Sequence, residues 1–381
     1  TPCGTLFPYT TLFRSTLLST SFSSLAILNA IVSLLFIVSN LIFRFITAFE
    51  TFLFIGIVMF QSINFLFINY LRAKQDVGKT GLFQLIQKFS EFFVGLPILL
   101  LGIFTKVHAV LLGILIGQAI IFVFCIIHLY KRSLYKPQII DKQCLSAMIK
   151  YGLPLIVSGI FSTLLNYADR YMILFFDGKE ATGIYSFAYD ITRKTVAAVP
   201  QLISLGVWPI LVKYSNTNFD YTCRKISVFF RLYLIAFIPI IIIIALFNEQ
   251  YFAIFGTEKY AEGALLLPII VFGLFIPSLG WYWSVIFLLK KNTILILKLT
   301  MFTAVINIVL NLVFIPQYGY IAAAYTTLIA YSLYFCLQCY FVIRIYGIFQ
   351  QNIFFMAKVA IVVGGLFLFR YAVIRFFVLD V

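Results

Sequence analysis

The sequence predicts an all-α polytopic membrane protein with about eleven transmembrane helices, and three observations predict it. The 381 residues are 63% hydrophobic and 11% charged, with a mean hydropathy of +1.05. Soluble domains sit near about 45–50% apolar and about 25% charged, and disordered chains have the opposite balance. The apolar residues gather into runs of roughly 20 or more, the helical length that crosses a hydrocarbon core about 30 Å thick. The basic residues fall in alternate connections between those runs, the signature of a cytoplasmic side.

The runs lie near 19–43, 49–71, 82–104, 107–130, 150–176, 183–212, 226–247, 263–289, 293–315, 319–343 and 354–379. The run containing Ile240 to Ile244 is the plainest, and the run 82–104 is weaker, because Gln84, Gln87, Lys88 and Glu91 break its first half. One set of connections carries Arg72, Lys74, Lys79, then Lys131 to Lys150, Lys213, Arg224, Lys225, Lys290, Lys291 and Arg344. The other set carries Arg44, Lys106, Lys179 and Lys259, diluted by Glu50, Asp177, Glu180, Glu249, Glu258 and Glu262. The first set is therefore expected on the inside. That placement also explains the net charge of +15 without nucleic acid, since the cations meet an anionic leaflet.

The beginning of the chain stands apart. Thr5 to Ser15 reads TLFPYTTLFRS, which resembles the in-frame translation of a sequencing-adapter oligonucleotide, so residues 1–15 are expected to be an assembly scar outside the fold. Gly78-Lys79-Thr80 imitates the end of a phosphate loop, but Ala73 stands where the earlier glycine is needed. Cys336 and Cys339 form a CxxC within an apolar run and are expected to be small buried hydrophobes. No second CxxC, histidine cluster or partner for His108 and His128 is legible, so neither a metal nor a cofactor is expected. The connections are too short for a soluble catalytic domain, which argues against an enzyme.

The functional signal lies in charges at membrane depth. Asn166, Asp169 and Arg170 are spaced i, i+3 and i, i+4, and Asp190, Arg193 and Lys194 repeat that spacing in the next span. Five ions facing lipid would cost about 15 kcal/mol at roughly 3 kcal/mol each. Three arrangements avoid that cost. Asp169 can pair with Arg193, or Asp190 with Arg193 or Lys194 on its own helix. One cluster can snorkel to the interface. Alternatively, the cations line a hydrated cavity and receive an anion, for which arginine offers a two-pronged donor. Three cations against two anions leave a surplus of one positive charge. Glu91 and Lys298 are further candidates at depth, Glu91 as a proton acceptor or as a partner of Lys88 one turn away. Pro97, Pro154, Pro200, Pro209, Pro239, Pro268 and Pro277 fall in or at the ends of spans, where they permit kinks. Gly113 and Gly117 form a GxxxG that permits close helix contact.

The middle of the chain also resembles a known family. Its residues are Tyr151-Gly152-Leu153-Pro154-Leu155, Asp169-Arg170, Gly178, Glu180-Ala181-Thr182-Gly183-Ile184-Tyr185-Ser186 and Ala188-Tyr189. A later run continues it: Asn307, Asn311, Ile315-Pro316, Tyr318-Gly319, Ala322-Ala323-Ala324 and Thr327, with alanine at 322 or 323 where glycine is usual. Phe255-Gly256, Tyr260 and Ala264 to Pro268 also fit. Together these resemble the bacterial polysaccharide flippases of the multidrug/oligosaccharidyl-lipid/polysaccharide superfamily, over about 150–346 and more loosely over 16–149.

That resemblance implies a MATE-like arrangement of two six-helix lobes around a central cavity. The expected domains are an incomplete N-terminal lobe at 16–145, a C-terminal lobe at 146–346 and an extra helix within 347–381. Four spans precede the lobe boundary, so two are expected to be missing; a final helix is expected to be missing as well. The implied activity is movement of an undecaprenyl-pyrophosphate-linked oligosaccharide from the inner to the outer leaflet of a bacterial inner membrane, for O-antigen, capsule or exopolysaccharide. Arg170, Arg193 and Lys194 would receive the pyrophosphate or acidic sugars. Asp169, Asp190 and Glu91 would balance them or couple transport to an ion, with Asn166 and Lys298 in support. Implied partners are the lipid-linked substrate, membrane lipids and polysaccharide assembly proteins. The competing readings are a drug or cation exporter of the same superfamily, a membrane enzyme of polysaccharide assembly, and a non-transporting scaffold.

Overall fold

A computed structural model describes residues 11–44, 46–74, 76–102, 105–131, 141–215, 218–255 and 258–347. Every element among them is helical. They are α1 (Thr11–Phe43), α2 (Ala48–Ala73), α3 (Val77–Leu100), α4 (Lys106–Lys131), α5 (Lys142–Phe176), α6 (Gly178–Ser215), α7 (Phe219–Leu246), α8 (Asn248–Phe255), a 3-10 helix (Glu258–Leu266), α9 (Leu267–Leu289) and α10 (Thr293–Tyr346). The fold is an all-α polytopic one, as the hydropathy predicts. Among the described residues 8 helices are long and apolar enough to cross a bilayer. The expected number was eleven, and the difference has three sources. The helix α6 is not among the eight, the two runs 293–315 and 319–343 are the two arms of the single element α10 and count there once, and the run 354–379 lies outside the described residues. The segment 1–10, most of the basic connection 131–149, and the side chains of Pro200 and Pro209 lie outside them too.

Helix α10 has 54 residues, which at 1.5 Å per residue would reach about 80 Å, far more than one crossing. It is two arms. Gly319 has φ 66° and ψ −161°, a conformation open in practice to glycine alone, and it reverses the chain. The arms then pack antiparallel, joined by Asn307 Nδ2 donating to Thr327 Oγ1 at 3.5 Å, Thr300 Oγ1 to Tyr334 Oη at 3.4 Å, and Thr326 Oγ1 to Asn311 Oδ1.

The chain divides into two compact units, Thr1–Ile149 and Lys150–Val381. The first is held by close backbone approach. A Cβ on Gly113 would stand 2.6 Å from Gly95 Cα, and one on Gly117 would stand 2.7 Å from Glu91 Cγ, so the expected close contact of the GxxxG is the seam between α3 and α4. Beside the seam lies a polar clamp, in which Asn64 Nδ2 donates to Gln118 Oε1 at 2.8 Å and Gln118 Nε2 donates to Glu91 Oε1 at 3.2 Å. His108, which has no visible partner in the sequence, meets Glu50 Oε1 at 3.1 Å.

The second unit is held by an aromatic core between α6, α7, α9 and α10. Phe230, Tyr233, Phe237, Tyr282 and Trp283 are all buried, with Phe237 stacked on Phe275 at 5.7 Å and Phe230 on Trp283 at 5.1 Å. The expectation for the CxxC needs correction: Cys336 is exposed and Cys339 half-buried. They are about 60° apart around the helix, and of the two Cys339 packs against the core. Outward faces are apolar, as in Leu41 and Leu100, more than two-thirds exposed, which suits lipid.

Replacing Gly319 by alanine should lower stability by about 1–3 kcal/mol, because Gly319 has this backbone conformation and a Cβ there would lie 2.8 Å from Asp177 Oδ2. The measurement is the melting temperature of the purified protein in detergent, and Gly152→Ala, where a Cβ meets nothing within 4 Å, is the control.

Candidate functional site

The site starts from a one-residue turn. Helix α5 ends at Phe176 and α6 begins at Gly178, which has φ 86°. So short a connection makes the two helices antiparallel neighbours, and residues equally far from Asp177 in sequence come level. Asp169 and Tyr185 are such a pair, and Tyr185 Oη donates to Asp169 Oδ2 at 2.5 Å. Asp169 is 1% exposed, and its other oxygen accepts the Arg170 backbone N–H at 2.8 Å.

Arg170 turns the other way. Its guanidinium forks onto Asp190, with Nη2 to Oδ1 at 2.7 Å and Nη1 to Oδ2 at 3.4 Å, and lies against the rings of Tyr167 and Tyr189. The pairings expected from spacing alone, Asp169 with Arg193 and Asp190 with Arg193 or Lys194, therefore do not form. The reason is geometric. A bidentate fork from the neighbouring helix occupies both Asp190 oxygens, while Asp169 points into the core, where a phenol and its own backbone satisfy it.

Arg193 is left with a neutral partner, donating from Nη1 to Tyr167 Oη at 2.9 Å. Arg193 stands about 22 Å along α6 from Gly178, at 1.5 Å per residue. It lines a cavity of about 630 Å³ bordered by α5, α6, α9 and both arms of α10. The rest of the wall is neutral: Ser158, Ser162 and Asn166 at one-turn intervals on α5, Trp281 and Ser284 on α9, Thr300, Tyr331 and Tyr334 on α10, and apolar residues between. Asn166 is tied in by Tyr331 Oη, which donates to Asn166 Oδ1 at 2.9 Å. No carboxylate lines this cavity among the described residues.

The structure thus brings Asn166, Asp169, Arg170, Asp190 and Arg193 together. Lys194 is exposed, and Lys298 is exposed on α10 outside the cavity wall. Glu91 lies in the first unit, where it pairs with Lys88 at 2.7 Å, the bland alternative that its spacing allowed. Of the tyrosines that organise the charges, 185 and 189 fall in the stretch that carries the family resemblance, whereas 167 and 331 had no signal in the sequence. The cavity wall had one, the repeated four-residue step Ser158, Ser162, Asn166.

Comparison with known proteins agrees with this architecture. The sequence model of a family described as "Polysaccharide biosynthesis protein" matches residues 14–215, just over half of the chain. The chain belongs to the polysaccharide biosynthesis protein family. A second model, MatE, matches residues 154–313 of this family member. An uncharacterized membrane protein of Methanocaldococcus jannaschii is 23% identical over 209 residues, which is 53% of this chain and 40% of that protein. The matched stretch thus spans well under half the length of that curated relative. Among solved structures, a MATE transporter of Vibrio cholerae aligns with TM-score 0.72 and 12% identity over 86% of this chain and 78% of its own. A MOP superfamily transporter of Pyrococcus furiosus, whose binding pocket is described as reversed in polarity, aligns with TM-score 0.63 and 14% identity over 85% and 78%. These likenesses show the MATE-type fold in this polysaccharide biosynthesis protein.

Because the Arg170–Asp190 pair is partly buried, breaking one side should cost more than removing both. Arg170→Gln and Asp190→Asn singly should each destabilise by about 1–3 kcal/mol, and the double variant by less than the sum. Thermal unfolding of the four proteins in one detergent checks this; additive losses would mean that the pair carries no coupling.

Proposed function

We propose that this protein is a membrane transporter that moves a lipid-linked oligosaccharide, carried on an undecaprenyl-pyrophosphate type of anchor, from the inner to the outer leaflet of a bacterial plasma membrane for surface polysaccharide assembly. The observation that carries the reading is Arg193: a cation at membrane depth, held by a neutral hydroxyl, facing a cavity whose wall holds no carboxylate among the described residues. Such a guanidinium retains most of its donors for an acidic group from the substrate. Family membership and the MATE-type fold support the same reading, the first for polysaccharide chemistry and the second for alternating access.

Within this reading the roles of the charged residues separate. Arg193 is the receiving cation, Lys194 adds positive potential from an exposed position, and Arg170 with Asp190 is the neutral pair that locks α5 to α6. Asp169 and Glu91 remain the candidates for coupling to an ion, which would draw roughly 2.3 kcal/mol per charge from each 100 mV of membrane potential. The two units serve as the lobes, and the basic helix ends face the cytoplasm. The alternative, a multidrug exporter, draws on the same fold. It requires a cavity that attracts organic cations, and the wall described above does the reverse.

Reconstituted vesicles loaded with a fluorescent lipid-linked oligosaccharide test the proposal. The protein should move the lipid between leaflets. Arg193→Gln alone and the Arg170→Gln, Arg193→Gln double variant should lose at least tenfold in rate while inserting normally. Wild-type transport by the double variant would remove the cation-cavity mechanism.

A further inference from the structure

The wall of the cavity in the second unit has a chemistry of its own, independent of which lipid carries the cargo. Its volume, about 630 Å³, falls in the range of small-ligand pockets, roughly 300–1,000 Å³. Around it stand hydroxyls and one amide that keep unused hydrogen-bonding capacity. Ser158 Oγ donates to Thr300 Oγ1 at 3.0 Å, which leaves the serine oxygen free to accept. Asn166 donates one amide hydrogen to the Ser162 carbonyl at 2.6 Å and retains the other. Groups that both donate and accept at short intervals match a ligand that does the same from every carbon. A wall of this kind, with Leu155, Leu165, Val196 and Leu274 between its polar groups and no carboxylate among the described lining residues, offers little to an organic cation, which needs an anion.

Two further features narrow the ligand. Trp281 is half-buried and lines the wall, and an indole is the kind of flat apolar group against which the C–H face of a pyranose packs. Arg193 contributes one positive charge among the lining residues. A phosphate dianion is better served by two cations or by a helix N-terminus. A single guanidinium matches a single carboxylate, which it can grip with both prongs.

We infer that this cavity is a binding site for a carboxylate-bearing sugar residue of the hexuronate kind, with its ring against Trp281 and its carboxylate at Arg193. The inference rests on the transport reading for how such a residue arrives, attached to a lipid; the binding itself stands on the wall alone. Specificity then follows from the two features separately. Trp281 and the hydroxyls select a sugar ring, and Arg193 selects the acidic form over the neutral one. Gly159 supplies a way to close the site. It lines the cavity, and a Cβ built on it meets no atom within 4 Å, so a larger side chain there extends into open space and spares the surrounding helices.

Calorimetric titration of the full chain in nanodiscs, at constant ionic strength, tests this with sodium glucuronate, glucose and inorganic phosphate. Glucuronate should bind saturably and about tenfold more tightly than glucose, as one charge-assisted contact predicts, and phosphate should not displace it. Arg193→Gln should bring glucuronate down to the affinity of glucose while glucose is unchanged. Trp281→Ala should weaken both sugars, Trp281→Phe should restore part of the loss, and Gly159→Leu should abolish both with the melting temperature retained. The inference is overturned if neither sugar binds the wild-type protein, if Arg193→Gln keeps the preference for glucuronate, or if phosphate displaces it. The vesicle assay separates the two readings. Lipid movement without glucuronate binding removes this site alone, and glucuronate binding without lipid movement removes the transport proposal alone.

Discussion

A guanidinium in a hydrocarbon layer needs an anion or water, and the second unit is arranged around that need. Arg170 meets it with Asp190 across a helix pair that a single residue connects. The short turn brings Asp169 level with Tyr185, so the remaining carboxylate is satisfied by a phenol and a backbone N–H and has no cation to neutralise. Two cations of the cluster therefore have no carboxylate partner: Lys194, which is exposed, and Arg193, which the fold sets against a cavity.

The two units solve the packing problem of a membrane protein in different ways. Lipid supplies no hydrophobic drive between helices, so contact must come from fit and from polar ties. In the first unit the fit comes from glycine: α3 and α4 approach until the Gly113 and Gly95 backbones touch, and Asn64, Gln118 and Glu91 tie them to α2. In the second unit large rings interlock, and the ties are hydroxyls spread along both arms of α10 and across to α5. The glycine seam leaves no space between its helices. The aromatic and hydroxyl arrangement of the second unit leaves a cavity.

The long apolar helices were legible because run length is one-dimensional and is read along the chain without knowing how it packs. The glycine seam was legible for the same reason, since Gly113 and Gly117 mark a helix face. The ion pairs were not. The spacing of Asp190, Arg193 and Lys194 shows which residues share a helix face, but the partner of Asp190 sits on another helix, and only the rotation of α5 against α6 selects Arg170. The break at Gly319, by contrast, was legible: the runs 293–315 and 319–343 read as two spans, and they are the two arms of α10 that pack antiparallel on either side of that glycine. The cavity was the least legible feature, because its wall draws single residues from five helical segments far apart in sequence.

The turn between α5 and α6 has one more consequence. Asp177 sits against Gly319 at the reversal of α10, Tyr320 Oη donates to Glu262 at 3.3 Å, and Tyr260 stacks on Phe187 at 4.9 Å. Four helical rods and the 3-10 segment are thereby fastened together at the end bearing Asp177, Glu180 and Glu262. For rods fastened at one end, any change of mutual angle displaces them least beside the clasp and most at the far tips, which here are the ends near Lys142, Ser215, Thr293 and Tyr346.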